Sequence, residues 1–92
     1  MHLNRNGVTD LDSFVAAEVR SDIARHKSVS VKSIAEKLDL RRATLSSRVN
    51  GHAPFTPSLL SAVAAQLGTS ASAIVARAER AADRRTFMAV AS

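Results

Sequence analysis

Residues 30–51 read S-V-K-S-I-A-E-K-L-D-L-R-R-A-T-L-S-S-R-V-N-G, and the order of capping, apolar and turn residues in this stretch decides the fold. Ser30 is a helix N-cap, because its hydroxyl can accept from an amide of the first turn. Ile34, Ala35 and Leu38 then recur at helical spacing and define an inward face. Asp39 and Leu40 interrupt the pattern as a turn. Aspartate tolerates the left-handed conformation better than most side chains, though less well than glycine. A second helix over residues 42–50 follows, anchored by Leu45 and Val49. Asn50-Gly51 ends it with a residue pair that accepts positive φ. Ile34, Ala35, Leu38, Leu40 and Leu45 are therefore expected inside. Ala35 stands where the two helices cross, a place that admits only a small side chain, and Leu40 is expected to plug the angle between them.

The flanks extend the same grammar. Thr9 and Asp12 resemble a capping box with Asp in place of Glu. Val15, Val19 and Ile23 form one stripe at i, i+4 and i+8, through about Lys27, with Phe14 beside it. Residues 52–55 are a loop. Thr56 as N-cap and Pro57 at the first helical position open a fourth helix. Its inner face is Leu59, Leu60, Val63, Ala64 and Leu67, and Gly68 stops it. Ser70 caps a fifth helix, through Ile74, Val75 and Ala78 to about Arg85. Residues 86–92 are apolar with no assignable period. Connections of a few residues fit an all-α, compact five-helix bundle. The expected organisation is a single domain over residues 1–92: an N-terminal arm over 1–9, the bundle over 10–85 and a tail over 86–92.

Composition agrees with that class. The chain has 92 residues, 46% of them hydrophobic, with three Phe, no Tyr and no Trp. Alanine-rich, aromatic-poor chains suit close-packed helices better than sheets. No cysteine is present, which excludes disulfides and thiolate metal sites and points to an intracellular life. No apolar run approaches the roughly 20 residues that span a bilayer, and residues 1–7 lack the apolar core of a secretory signal. Net charge is +5. All acidic residues lie at or before Asp39 or at and after Glu79, so Arg41, Arg42, Arg48 and Arg77 run without an opposing acid. Such a patch suggests a polyanionic partner. His2, His26 and His52 are too dispersed for a metal site, and no nucleophile elbow or paired-carboxylate spacing supports catalysis. The expected protein is not an enzyme and carries no metal or cofactor.

Two short helices joined by a three- or four-residue turn make a helix-turn-helix. Here the chain resembles the phage repressor and Cro family of helix-turn-helix DNA-binding proteins. The resemblance continues through Asn50-Gly51, the loop, and the T-P-S-L-L-S-A-V-A-A-Q-L-G-T-S run of residues 56–70, and covers about residues 11–80. Departures are visible. Asp39 stands where the family usually has Gly, and Arg41 where it has a Ser or Thr N-cap. Ala24 and Val49 stand where many members pair an Arg with a Glu, so packing is expected to replace the ion pair.

With Leu45 and Val49 facing the core, Arg42, Ala43, Ser46 and Ser47 are the expected base readers, on the outward face that enters a major groove. Arg42 can bridge O6 and N7 of guanine, Ala43 can meet a thymine methyl, and the serines discriminate weakly. Amides around Ser30 and Val31 are expected to point at a phosphate. Lys32, Arg41, Thr44, Arg48 and His52 complete the phosphate-contacting set, which fixes register without reading sequence. For any one of these arginines and serines the competing reading is a solvated helix face.

The resemblance implies a sequence-specific regulator of transcription, Cro-like or a short phage repressor, bound to palindromic double-stranded DNA as a homodimer. It implies a cytoplasmic, DNA-associated protein of a bacterial cell, with no membrane partner and no small-molecule ligand. One recognition helix reads too few base pairs to find an operator, so a dimer contact is expected. Its candidates are Ile74, Ala78 and Ala82 on the fifth helix, with Phe87, Met88 and Val90 beyond. The alternative is an antitoxin-like interaction module that binds a partner protein.

Overall fold

A computed structural model describes the backbone of residues 9–91 and the side chains of residues 9–85. Within it run five helices, α1 (Asp10–Arg25), α2 (Val31–Lys37), α3 (Arg42–Val49), α4 (Pro57–Gln66) and α5 (Ala71–Ala91). The N-terminal arm and the start of the chain up to residue 8 lie outside the described residues.

Four of the five starts are fixed by the side chain expected to fix them. Thr9 and Asp12 form a reciprocal capping box on α1. Ser30 accepts from the Ser33 amide on α2, and Ser33 returns the bond to the Ser30 amide, a second capping box. Thr56 caps α4 ahead of Pro57, and Ser70 accepts from the Ala73 amide at the start of α5. Only α3 begins without a side-chain cap, because Arg41 has no acceptor to offer.

Three helix ends share one device. The Leu40 amide donates to the Ala35 carbonyl at 2.9 Å and the Asp39 amide to Glu36 at 3.2 Å, closing α2 with Asp39 at φ +56°. The same pair of hydrogen bonds recurs at the ends of α3 and α4, with Gly51 at φ +77° and Gly68 at φ +71° in the left-handed position. Asn50 keeps φ −87°, so Gly51 alone makes the turn after α3. Among the described residues Asp39 is the one left-handed position filled by a residue with a Cβ. Asp39→Gly is expected to stabilise the fold by about 0.5–1 kcal/mol, raising the melting midpoint by a few degrees, because relief of the strained φ outweighs glycine's extra unfolded-state freedom. A thermal melt with an unchanged or lower midpoint would show that the turn carries no such strain.

The core joins all five helices: Val15 and Val19 from α1, Ile34 and Ala35 from α2, Leu45 and Val49 from α3, Leu60, Val63 and Ala64 from α4 with Leu67 just past its end, and Ile74 and Ala78 from α5. α1 packs chiefly on α5, while α2 and α3 pack on each other. The axis turns by 101° between α4 and α5, and no single helix among the described residues is long and apolar enough to cross a membrane.

Several expectations change. α1 ends at Arg25, with His26 as C-cap, two residues before Lys27. Leu38 and Leu40 are only half-buried, and Leu40 stands outside the core cluster. Its backbone amide, rather than its side chain, closes the turn. Ile74 and Ala78 are fully enclosed, so they cannot form an exposed dimer stripe, and Ala82 is half-buried. The reason is α1, which lies along that face of α5. The fifth helix continues past Arg85 to Ala91, whereas the side chains of Phe87, Met88 and Val90 lie outside the described residues.

Candidate nucleic-acid interface

The rotation of α3 about its own axis sets the candidate site. Leu45 at 0% and Val49 at 4% exposure pin one side of the helix in the core, so the remaining side chains must fan outward. Arg41, Arg42 and Ala43 are exposed at its N-terminal end, while Thr44, Ser46, Ser47 and Arg48 are half-buried along it. Lys32 at the start of α2 and His52 in the following loop are also exposed. All the expected readers therefore sit on one helix, beside the turn that carries Arg41. Ser46 accepts a hydrogen bond from Asn50 Nδ2 at 3.1 Å.

Among the described residues the arginines of α3, and Arg41 beside it, have no acid within ion-pair distance. Among the described residues the ion pairs involve Arg25 and Arg77, never Arg41, Arg42 or Arg48. The Arg48 Nε is buried without a hydrogen-bond partner. A buried donor left so costs about 1–3 kcal/mol.

Arg77 does not belong to this patch. Its guanidinium donates to both carboxylate oxygens of Asp22, at 2.7 and 3.0 Å, and lies 3.8 Å from Glu18. The acid-free spacing along the chain was misleading here, since α1 supplies the counter-charge across the bundle. The Arg77 hydrogen bonds outweigh burial and hold the Asp22 carboxyl below the usual carboxylate range, helped by Arg25.

At the start of α2 the Ser30 amide is taken by Ser33 Oγ, so it does not point at a phosphate. In a capped first turn the next two amides, of Val31 and Lys32, remain without intrahelical partners. Val31 is half-buried and Ser30 exposed.

The expected Ala24–Val49 packing pair is absent. Ala24 is exposed and Val49 is core. Instead Arg20 Nη1 donates to the Val49 carbonyl at 2.7 Å, tying α1 to the last turn of α3 with a cation at the negative end of the helix. Arg20 was not among the expected site residues. The signal for it was a basic residue one turn before Ala24, on a helix that also had to reach α3.

Comparison with known proteins gives consistent findings. A family described as Helix-turn-helix matches residues 23–74. The crystal structure of the clp gene regulator ClgR from Corynebacterium glutamicum is similar at a TM-score of 0.74 and 26% identity, covering 88% of this chain and 86% of that one. No curated protein matches the chain.

Proposed function

Because this chain belongs to the Cro/C1-type helix-turn-helix family, we propose that it is a DNA-binding regulator of transcription that places α3 in the major groove of a palindromic operator as a homodimer. The observation that carries the reading is the exposed N-terminal end of α3, where Arg41 and Arg42 pair with no acid among the described residues. Similarity to a clp gene regulator supports the transcriptional role.

Within this reading Arg42, Ala43, Ser46 and Ser47 face base edges. Arg42 supplies the one strong discrimination, a bidentate contact to guanine. Arg41, Lys32, Thr44, Arg48 and His52 hold the sugar–phosphate backbone, with Ser30 contributing its hydroxyl and Val31 its amide. Occupancy of the operator is itself the regulatory act, as in a Cro-like protein or short phage repressor, and no small-molecule ligand is needed.

Two copies double the readout and require half-sites about one helical turn, ~34 Å, apart. With Ile74 and Ala78 enclosed, a second copy is better met at the apolar groove of about 370 Å³ lined by Leu11, Val15, Phe55, Pro57, Leu60 and Val75, among others. Phe55 lies in the loop after α3 and Pro57 opens α4, so a contact there would hold both recognition helices in register. Selection of bound duplexes from a random pool should yield a short palindrome. A pool that enriches no sequence, together with a stoichiometric protein partner on purification, would replace this reading by the interaction module.

A further inference from the structure

Of the five helix starts, only that of α3 has no side-chain cap. The backbone there is not the obstacle. Arg41 has φ −67° and ψ 135°, close to the −73° and 154° of Thr56, whose hydroxyl accepts from the Leu59 amide at 3.2 Å. A hydroxyl at position 41 would stand in the same relation to the amide of Thr44, the third residue of α3 as Leu59 is of α4. Arginine instead offers donors alone. It also brings a cation to the positive end of the helix dipole, where a negative group is favoured. Arg41 is exposed and forms no ion pair with an acid among the described residues. Position 41 therefore denies α3 both a cap and a favourable charge, and no side chain among the described residues offsets either. A local rule broken without compensation inside the fold marks a position set by something outside it.

We propose that Arg41 is retained for DNA although it weakens the start of the helix it opens, so that folding and DNA binding oppose each other at this one residue. Its guanidinium takes a backbone phosphate, the anion that relieves a cation at that end of α3. The proposal rests on α3 being the helix in the major groove, since Arg41 directly precedes the end of α3 that enters it. Its consequence is an opposition of sign. Replacing Arg41 by a capping residue strengthens the free protein and weakens its complex with DNA. A structural residue would move both in the same direction, and a solvated one would change stability alone.

Melting the full chain and the variants Arg41→Ser and Arg41→Ala with and without duplex DNA, and titrating each at several salt concentrations, tests it. Without DNA, Arg41→Ser should melt about 4–8 °C above the unaltered chain, the worth of one N-cap in a domain of this size. Its affinity for duplex should fall about three- to tenfold at about 0.1 M salt, and its salt slope by about 1, as one phosphate contact is lost. In excess duplex it should therefore lose most of its lead in melting midpoint, because DNA then stabilises the unaltered chain more. Arg41→Ala removes the charge and supplies no acceptor, so it should weaken binding as much and gain a smaller part of the stability. If the unaltered chain binds duplex and Arg41→Ser binds it as tightly, with the same salt slope, the proposal is overturned and Arg41 is a solvated residue. An Arg41→Ser midpoint no higher than that of the unaltered chain overturns it too, since α3 then had no missing cap to gain. If the unaltered chain binds no duplex at all, the assignment of α3 to the major groove fails first and takes this one with it.

Discussion

Arg77→Ala is expected to cost about 2–4 kcal/mol of folding stability while leaving the α3 surface unchanged. The substitution strands Asp22, which is 4% exposed and receives two hydrogen bonds from Arg77. Removing one partner of a buried pair costs more than removing both, because the remaining charge has no water to return to. Arg25 still reaches Asp22 but is 61% exposed at its side chain, so it compensates only in part, which keeps the figure below that of a fully stranded ion. For a domain of this size the loss lowers the melting midpoint by roughly 8–25 °C. The double variant Asp22→Ala/Arg77→Ala should be more stable than Arg77→Ala alone. If Arg77→Ala melts within a degree or two of the unaltered chain, the pair contributes nothing to holding α1 on α5.

The same pair gives the fold an acid-sensitive component. The folded Asp22 carboxyl lies below its ordinary value of 3.8, so the unfolded chain binds its proton more readily. The resulting stability is fully present above that ordinary value and is lost as pH falls below it, through the depressed folded value. Arg77→Ala should flatten this part of the stability–pH curve, with little change in its shape at neutral pH.

Arg42→Ala is expected to weaken specific DNA binding by about 1–3 kcal/mol, roughly 5- to 150-fold, and to relax one base position in each half-site. Arg42 is exposed at the first position of α3 and makes no ion pair among the described residues, so the loss should appear in binding and not in melting. Titrations against the selected palindrome and an unrelated duplex, at several salt concentrations, separate the possible roles. A base reader loses discrimination. A phosphate ligand loses affinity uniformly and lowers the salt slope by about 1. Equal loss on both duplexes would move Arg42 from the reading set to the backbone set.

The two arginines differ in how far the chain itself reveals them. Arg42 was legible because it stands one residue after a turn and three before Leu45, so its exposure follows from the helix period. The role of Arg77 was not legible, because Asp22 lies 55 positions away and nothing local couples them. Arg20 belongs with Arg77, since its bond to the Val49 carbonyl spans 29 positions.

Local sequence fixed where the helices start, where α2, α3 and α4 stop, which side chains anchor α3, and the helix-turn-helix. Thr9, Ser30, Thr56 and Ser70 cap within three residues, and Asp39, Gly51 and Gly68 turn within five, so these choices are made by near neighbours along the chain. Long-range packing settled that Ile74 and Ala78 are core, that Asp22 is buried beside Arg77, and that α1 reaches α3 through Arg20; the ends of α1 and α5 were not legible locally either. A hydrophobic stripe gives the face of a helix that turns inward, but not which helix meets it or at what rotation. A rotation of one residue is about 100°, enough to exchange a core position for a surface one. That angle is set by how all the helices share one interior.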